Sequence, residues 1–363
     1  MPRCQRYTGM TQRAPIISVD AMGADNGPSI AIDGIAHILS RRPDTDARFL
    51  VHGDEAQIAP LIEKAAAQTR ERITLLHTDS EVRMTDKPSE AVRRSRGSSM
   101  WNALTAVKNG EADVVVSAGN TGALMAISKV VLRMKKGVHR PAISASWPTP
   151  KGHTVVLDVG ANVECGPSQL VEFAIMGEAF HRAVHGSTTP TVGLLNVGQE
   201  ELKGNETVRA AARLIRDSGV DLNYQGFVEG DDISLGVVDV VVTDGFSGNI
   251  ALKTAEGAVK LVAHWMREAF TSSLTAKIGA AFLQMGALDE LRAKLDPRSI
   301  NGGVLLGLNG MVVKSHGGTD GQGFGNALGL GLNIAGSHFL TEIEANLARL
   351  NAAEEAKSEA EES

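Results

Sequence analysis

Short apolar runs rich in Val, Ile and Leu recur along the chain, each leaving through a Gly- and Asn-containing polar turn into residues with helical apolar spacing. Runs at 16–20, 48–52, 73–77 and 114–116 predict strands. The first exits through Ala21-Met-Gly-Ala-Asp-Asn-Gly27, with Pro28 suited to the first helical position. Pro148, Pro150 and Gly152 separate two extended pieces at 142–147 and 153–157, a hairpin-like interruption of the rhythm. The alternation then resumes. Helices are expected over 167–184, 205–217 and 248–272, with strands at 191–195, 224–228 and 238–242. An apolar segment, a strand pair within 304–314 and a last helix over 324–350 complete the pattern. Strands alternating with helices predict a three-layer α/β/α fold with a largely parallel sheet. With no solenoid repeat and no Ser/Gly linker, 15–350 is expected to form a single α/β unit, two lobes with a cleft being the other arrangement.

Composition changes this picture little. The 363 residues suffice for a large buried core, and a formal net charge of -6 gives no reason to expect a nucleic-acid partner. Two cysteines, Cys4 and Cys165, exclude a disulfide framework and fit a reducing cytosol, so the expected location is cytoplasmic. No apolar run is long enough to span a bilayer. Residues 1–14 read as a loose extension, with Met10 an alternative start, and 351–363 as an acidic tail.

The candidate chemistry lies at the strand exits. Ser117-Ala-Gly-Asn-Thr-Gly122 follows a β-branched run and opens a helix; its glycines permit close approach, and Asn120 or Thr121 can cap the helix and leave N–H groups for an anion. Three further exits share its vocabulary: Asp158-Val-Gly-Ala-Asn162, Asn196-Val-Gly198 running on to Lys203-Gly-Asn205, and Thr243-Asp-Gly-Phe-Ser-Gly-Asn249. In a parallel sheet all strand C-termini share one edge, so the four turns are expected to converge there.

Exclusion narrows the ligand. Gly321, Gly323 and Gly325 are followed by Asn326, so the dinucleotide fingerprint is missing, and Gln199 and Glu200 stand where a Walker turn needs Lys and Ser/Thr. No zinc spacing or nucleophile elbow occurs. A bowl of N–H donors, amides and hydroxyls with Lys87, Lys203, Lys253 and Lys314 nearby suits a small phosphate.

These motifs, with Asp20-Ala-Met-Gly23, Gly193-Leu-Leu-Asn-Val-Gly198, Leu306-Gly-Leu-Asn-Gly310 and Lys314-Ser-His-Gly317, resemble the phosphate acyltransferase (PlsX) family over about 16–350. The departures are Ala24, where the family usually has a second glycine, and Ser315, where it usually has Ala. The resemblance implies transfer of a long acyl group from acyl carrier protein to inorganic phosphate, giving acyl phosphate for phospholipid synthesis and a downstream glycerol-phosphate acyltransferase. It implies a fold similar to the phosphotransacetylases and isopropylmalate dehydrogenase-like enzymes, a homodimer, and neither cofactor nor metal. A phosphotransacetylase-like enzyme acting on acyl-CoA is the alternative.

Such a reaction needs a held dianion, oxyanion stabilisation and thiolate release, without a protein nucleophile. Ser117, Gly119, Asn120, Thr121 and Gly122 are therefore the expected phosphate cradle, with Lys253 or Lys203 supplying charge and Asn162 or Asn249 donating to the carbonyl oxygen. His316 is expected to orient phosphate or protonate the sulfur, with a structural hydrogen bond as its other reading; Asp20, Asp158, Asp244, Lys314 and Asn205 are expected to support the site. Cys165 reads as structural.

Two features bear on partners. Arg93, Arg94 and Arg96, and separately Arg133, Lys135, Lys136, His139 and Arg140, form basic clusters suited to an acidic carrier, or are simply charged helix ends. Leu274, Ile278, Ala281, Phe282 and Met285 share one helical face, to be covered by core, by a dimer partner or by a membrane surface as a peripheral foot.

Overall fold

The computed structural model describes residues 13–273, 275, 301–335, 343, 347 and 348. The apolar face at 274–285, the acidic tail and nearly all of the N-terminal extension lie outside the described residues.

Among the described residues, eleven strands form one sheet. In chain order they are β1 (Ile16–Asp20), β2 (Arg48–Gly53), β3 (Ile73–His77), β4 (Val114–Ser117), β5 (Ala142–Thr149), β6 (Gly152–Leu157), β7 (Thr191–Leu195), β8 (Asn223–Val228), β9 (Val240–Val242), β10 (Gly303–Leu306) and β11 (Met311–Lys314). Their order across the sheet is β3-β2-β1-β4-β11-β10-β5-β6-β9-β7-β8.

The helices are α1 (Ser29–Arg41), α2 (Glu55–Lys64), α3 (Ala67–Arg70), α4 (Pro88–Arg94), α5 (Ser99–Lys108), α6 (Thr121–Val131), α7 (Pro167–His185), α8 (Glu206–Asp217), α9 (Gly230–Leu235), α10 (Gly245–Thr271) and α11 (Gly321–Ile334). Alternate strand residues face two separate cores, as a period of two requires. Ile17, Val19, Val114 and Val116 pack with α1, α7 and α11 on one side; Val115, Val156, Val241 and Val312 pack with α5, α6 and α9 on the other. The result is the three-layer α/β/α arrangement that the alternation predicted. Among the described residues, no helix is long and apolar enough to cross a membrane.

One expectation fails. β10 is antiparallel to both β11 and β5, and β5 is antiparallel to β6. Three reversals in succession turn β6, β9, β7 and β8 against β3, β2, β1, β4 and β11, so the largely parallel sheet is two parallel halves of opposite direction. The exits of β1 and β4 therefore open on one edge, and those of β6, β7 and β9 on the other. Four interstrand steps separate β4 from β6. At about 4.8 Å per step, their exits lie roughly 19 Å apart across the sheet.

Candidate active site

At the first edge the register places His52, Asp20, Ser117 and Lys314 side by side on β2, β1, β4 and β11, all on the α5–α6 side. Ser117 Oγ donates to Asp20 Oδ2 at 2.7 Å and accepts from Gly119 N at 3.0 Å. The two strand exits touch backbone to backbone: a Cβ on Gly23 would stand 2.7 Å from Gly119 Cα and 2.7 Å from Asp20 Oδ2. Asp20 is buried, and its Oδ1 has no hydrogen-bond partner among the described residues. Burial pushes its carboxyl up, against the lowering pull of Ser117, Ser99, the Met22 backbone and Lys314.

Lys314 Nζ donates to Ala118 O at 3.3 Å and to Ser315 O, leaving one ammonium hydrogen. Desolvation brings its pKa down to about 8, with Asp20 and Asp25 pulling the other way. Asn120 caps α6 through Oδ1, which accepts from Ala123 N at 3.0 Å. Its Nδ2 donates to Met84 O at 2.7 Å and Asp86 O at 3.1 Å, clamping the loop that follows β3.

The cradle therefore divides. The Ser117 hydroxyl and the Asn120 amide hydrogens bond to the protein, so of the expected cradle the backbone N–H groups are the freer donors. The Thr121 and Gly122 amides open α6, where no preceding turn supplies carbonyl partners. Gly122 lies against Pro88 at the start of α4, where a Cβ would meet Pro88 Cγ at 2.8 Å.

His316 follows β11, its backbone N donating to Asn301 Oδ1 at 2.9 Å and its half-exposed ring lying 3.9 Å from Glu256 Oε1. Burial lowers its pKa; Glu256 opposes this, while Lys253, Lys314 and Lys260 lower it further. Lys253 Nζ is 2.9 Å from Glu256 Oε2. α10 thus begins at the second edge, where Asp244 caps it, and delivers Lys253, Glu256 and Lys260 to the first.

The second edge is closed upon itself. Asp158 Oδ1 accepts from the N–H groups of Ile143, Gly160 and Ala161, and Oδ2 from Asn162 N at 2.7 Å and Asn162 Nδ2 at 2.9 Å. Asn162 Nδ2 also donates to Pro141 O at 2.8 Å, so both its amide hydrogens are used. Asn249 Nδ2 donates to Val159 O, Asp244 Oδ1 accepts from Ser247 N and Gly245 N donates to Asn162 O. A Cβ on Gly248 would fall 1.9 Å from Asp158 O, so only glycine lets α10 start there. Asn162 therefore has no donor for an oxyanion, and neither it nor Asn249 lies at the edge that holds Ser117.

Asn205 caps α8 by accepting from Val208 N at 2.9 Å, and Lys203 belongs to the same exposed connection after β7. Both stand at the second edge, away from His316. Burial and the nearby Asp158 and Asp244 push the Cys165 thiol up to about 12, which fits the structural reading of that residue.

Sequence reasoning missed Asp25, Glu256, Lys260 and Asn301. Glu256 and Lys260 were legible as the i+3 and i+7 neighbours of Lys253 on one helix face. Nothing local marks Asn301, which binds Ser315 Oγ, Thr319 Oγ1 and His316 N from across the sheet end.

Comparison with known proteins bears on the family and the fold. Residues 16–341 match the model of a family described as fatty acid synthesis protein. The phosphate acyltransferase of Maricaulis maris is 66% identical over 344 residues, covering 94% of this chain and 97% of its own. That of Caulobacter vibrioides is 56% identical over 338 residues, covering 93% and 92%. A phosphotransacetylase from Streptococcus pyogenes superposes with a TM-score of 0.58 at 15% identity, covering 92% of this chain and 95% of that one; at such identity the likeness is one of fold. A branched-chain phosphotransacylase from Enterococcus faecalis gives 0.55 at 13% identity, covering 89% and 100%. With a family model spanning nearly all of the described residues and relatives this similar along almost their whole length, the chain belongs to the phosphate acyltransferase (PlsX) family.

Proposed function

We propose that the chain transfers an acyl group from a thioester to inorganic phosphate, with long-chain acyl carrier protein as donor and acyl phosphate as a product destined for phospholipid synthesis. The observation that carries this reading is the convergence at the first edge: unspent α6 amides, the remaining Lys314 hydrogen, and His316 set among Lys253, Lys260 and Glu256. The names of the relatives supply the substrate pair of phosphate and an acyl group.

The chemistry needs little more. A hydrogenphosphate oxygen attacks the thioester carbonyl, the tetrahedral oxyanion collapses, the C–S bond breaks, and the phosphate proton ends on sulfur. The α6 N-terminus and Lys314 hold the dianion, the one with partial positive charge and the other with an ammonium. His316, kept largely neutral by burial, accepts the phosphate proton and passes it to the departing thiolate. A thiol of pKa about 8.5 leaves without a strong acid, so a modest shuttle suffices. Lys253 and Lys260 offset the charge that develops on the carbonyl oxygen.

The test incubates the purified chain with phosphate and either long-chain acyl carrier protein or the matching acyl-CoA, and traps acyl phosphate with hydroxylamine. Phosphate-dependent trapping that is faster with the carrier protein is expected. Equal or greater rates with acyl-CoA would move the donor assignment to CoA thioesters, and no trapped product with either donor would end the proposal.

A further inference from the structure

Resting on the assignment of phosphate to the first edge, we propose that Asp20 is a positioning residue for the anion: it fixes the Ser117–Gly119 turn and favours the cationic form of Lys314, two strands away across Ser117.

The geometry has two parts. The first is mechanical. Asp20 Oδ2 takes the Ser117 proton, Ser117 Oγ takes the Gly119 N–H, and Ser117 O takes Ser315 N at 2.9 Å. The carboxyl therefore decides which way the first peptide of the turn points, and with it the Thr121 and Gly122 amides two and three residues on. Gly23 and Gly119 meet in van der Waals contact beside it, so the turn cannot relax toward Asp20 if the carboxyl is changed.

The second part is electrostatic. A buried carboxylate saturated by donors spreads its charge over them, but Asp20 has one hydrogen-bonded oxygen and one without a partner. The charged groups around Lys314 are few: Asp20 from β1, Asp25 from the connection to α1, and His316 from its own strand exit. His52, beside Asp20 on β2, is held neutral by burial at about 4 and supplies no competing cation. Ser99 of α5 lies against the same carboxyl as a neutral hydroxyl. Glu256, Lys253 and Lys260 of α10 act on His316.

The sign follows. Burial favours the neutral amine of Lys314, and Asp20 and Asp25 favour the ammonium. Phosphate binding that uses this ammonium weakens as pH rises through about 8. Removing the Asp20 charge lowers that value, so the alkaline limb moves toward acid.

The experiment measures KM for phosphate and kcat between pH 6 and 10 for the wild type, Asp20→Asn and Ser117→Ala. Asp20→Asn is expected to raise KM about tenfold at neutral pH with kcat within about threefold, and to move the alkaline limb acidward by about one unit. A loss of kcat or of melting temperature with the limb in place would mean a merely structural carboxyl and would overturn the proposal. If Asp20→Asn does not fold, Ser117→Ala carries the test, because it cuts the link from Asp20 to the Gly119 N–H: a raised KM for phosphate with kcat kept supports the proposal and an unchanged KM refutes it. Phosphate binding followed by calorimetry over the same pH range separates this inference from the activity. A wild type that binds phosphate with this limb but makes no acyl phosphate breaks only the reaction; one that binds none breaks both.

Discussion

Two buried aspartates stand at strand ends five interstrand steps apart, about 24 Å across the sheet, and live in opposite circumstances. Asp158, after β6, accepts from Ile143, Gly160, Ala161 and Asn162, the last through both backbone and side chain. Asp20, ending β1, accepts from Ser117, with Ser99 and the Met22 backbone against the same carboxyl, and among the described residues its Oδ1 has no partner within hydrogen-bond geometry. A saturated carboxylate is a structural knot, because its donors have nowhere else to go. An under-satisfied one carries its charge at greater cost, as the raised carboxyl of Asp20 shows, and has an oxygen open to its surroundings. The strand exits look alike in sequence, yet one edge is spent on the fold and the other is left for a ligand.

The sharpest way to break this contrast is Asp158→Ala. It strands several buried N–H groups at once, and the expected loss is about 4 kcal/mol in a denaturant titration, with poor soluble yield. A cost below about 1 kcal/mol would remove the distinction between the edges. At the first edge the opposite pattern is expected: His316→Ala should reduce kcat/KM about 100-fold while the denaturation midpoint stays close to wild type. Equal damage to stability and rate would make His316 a structural residue.

Acid provides a third comparison. His52 has a native pKa of about 4, below its ordinary 6.5, because burial disfavours its charge. The unfolded chain takes up the proton first, so this contribution is complete above pH 6.5 and is lost as pH falls toward 4. By pH 5 the loss is about 2 kcal/mol for this one imidazole, and His52→Asn should flatten the pH dependence of the melting temperature by a corresponding amount. An identical slope in the variant would show that His52 does not stay neutral beside Asp20. The smallest effect is expected from Lys203→Ala on the exposed second-edge connection, within about 0.5 kcal/mol of wild-type stability. A larger change would mean that this connection is held by Lys203 and not by the Asn205 cap.

Local patterns proved reliable where the cause was local. Asn120, Asp244 and Asn205 each cap a helix, as a short polar side chain before an apolar periodic run should. The hairpin at 142–157 and the pair at 303–314 were both visible from their breakers and β-branched runs. The further step, that antiparallel pairing on both sides of β10 and again between β5 and β6 inverts half the sheet, needed the neighbour order of strands far apart in sequence. The four exits were therefore expected to meet, and two edges are found. In the same way the amides of Asn120 and Asn162 looked free because their acceptors, Met84, Asp86 and Pro141, come from other connections.

By itself the sequence determined the layers, most strand and helix positions, the caps and the Gly-rich turns, since these follow from side-chain periodicity and short-range hydrogen bonding; the last helix, expected over 324–350, is described over Gly321–Ile334, and most of 336–350 lies outside the described residues. Only the tertiary structure decided which carboxylate is saturated, which amide donors remain unspent, and that α10 carries Lys253, Glu256 and Lys260 to His316. Those outcomes depend on strand direction and on contacts between distant segments, where a neighbouring backbone either consumes a polar group or leaves it for a ligand.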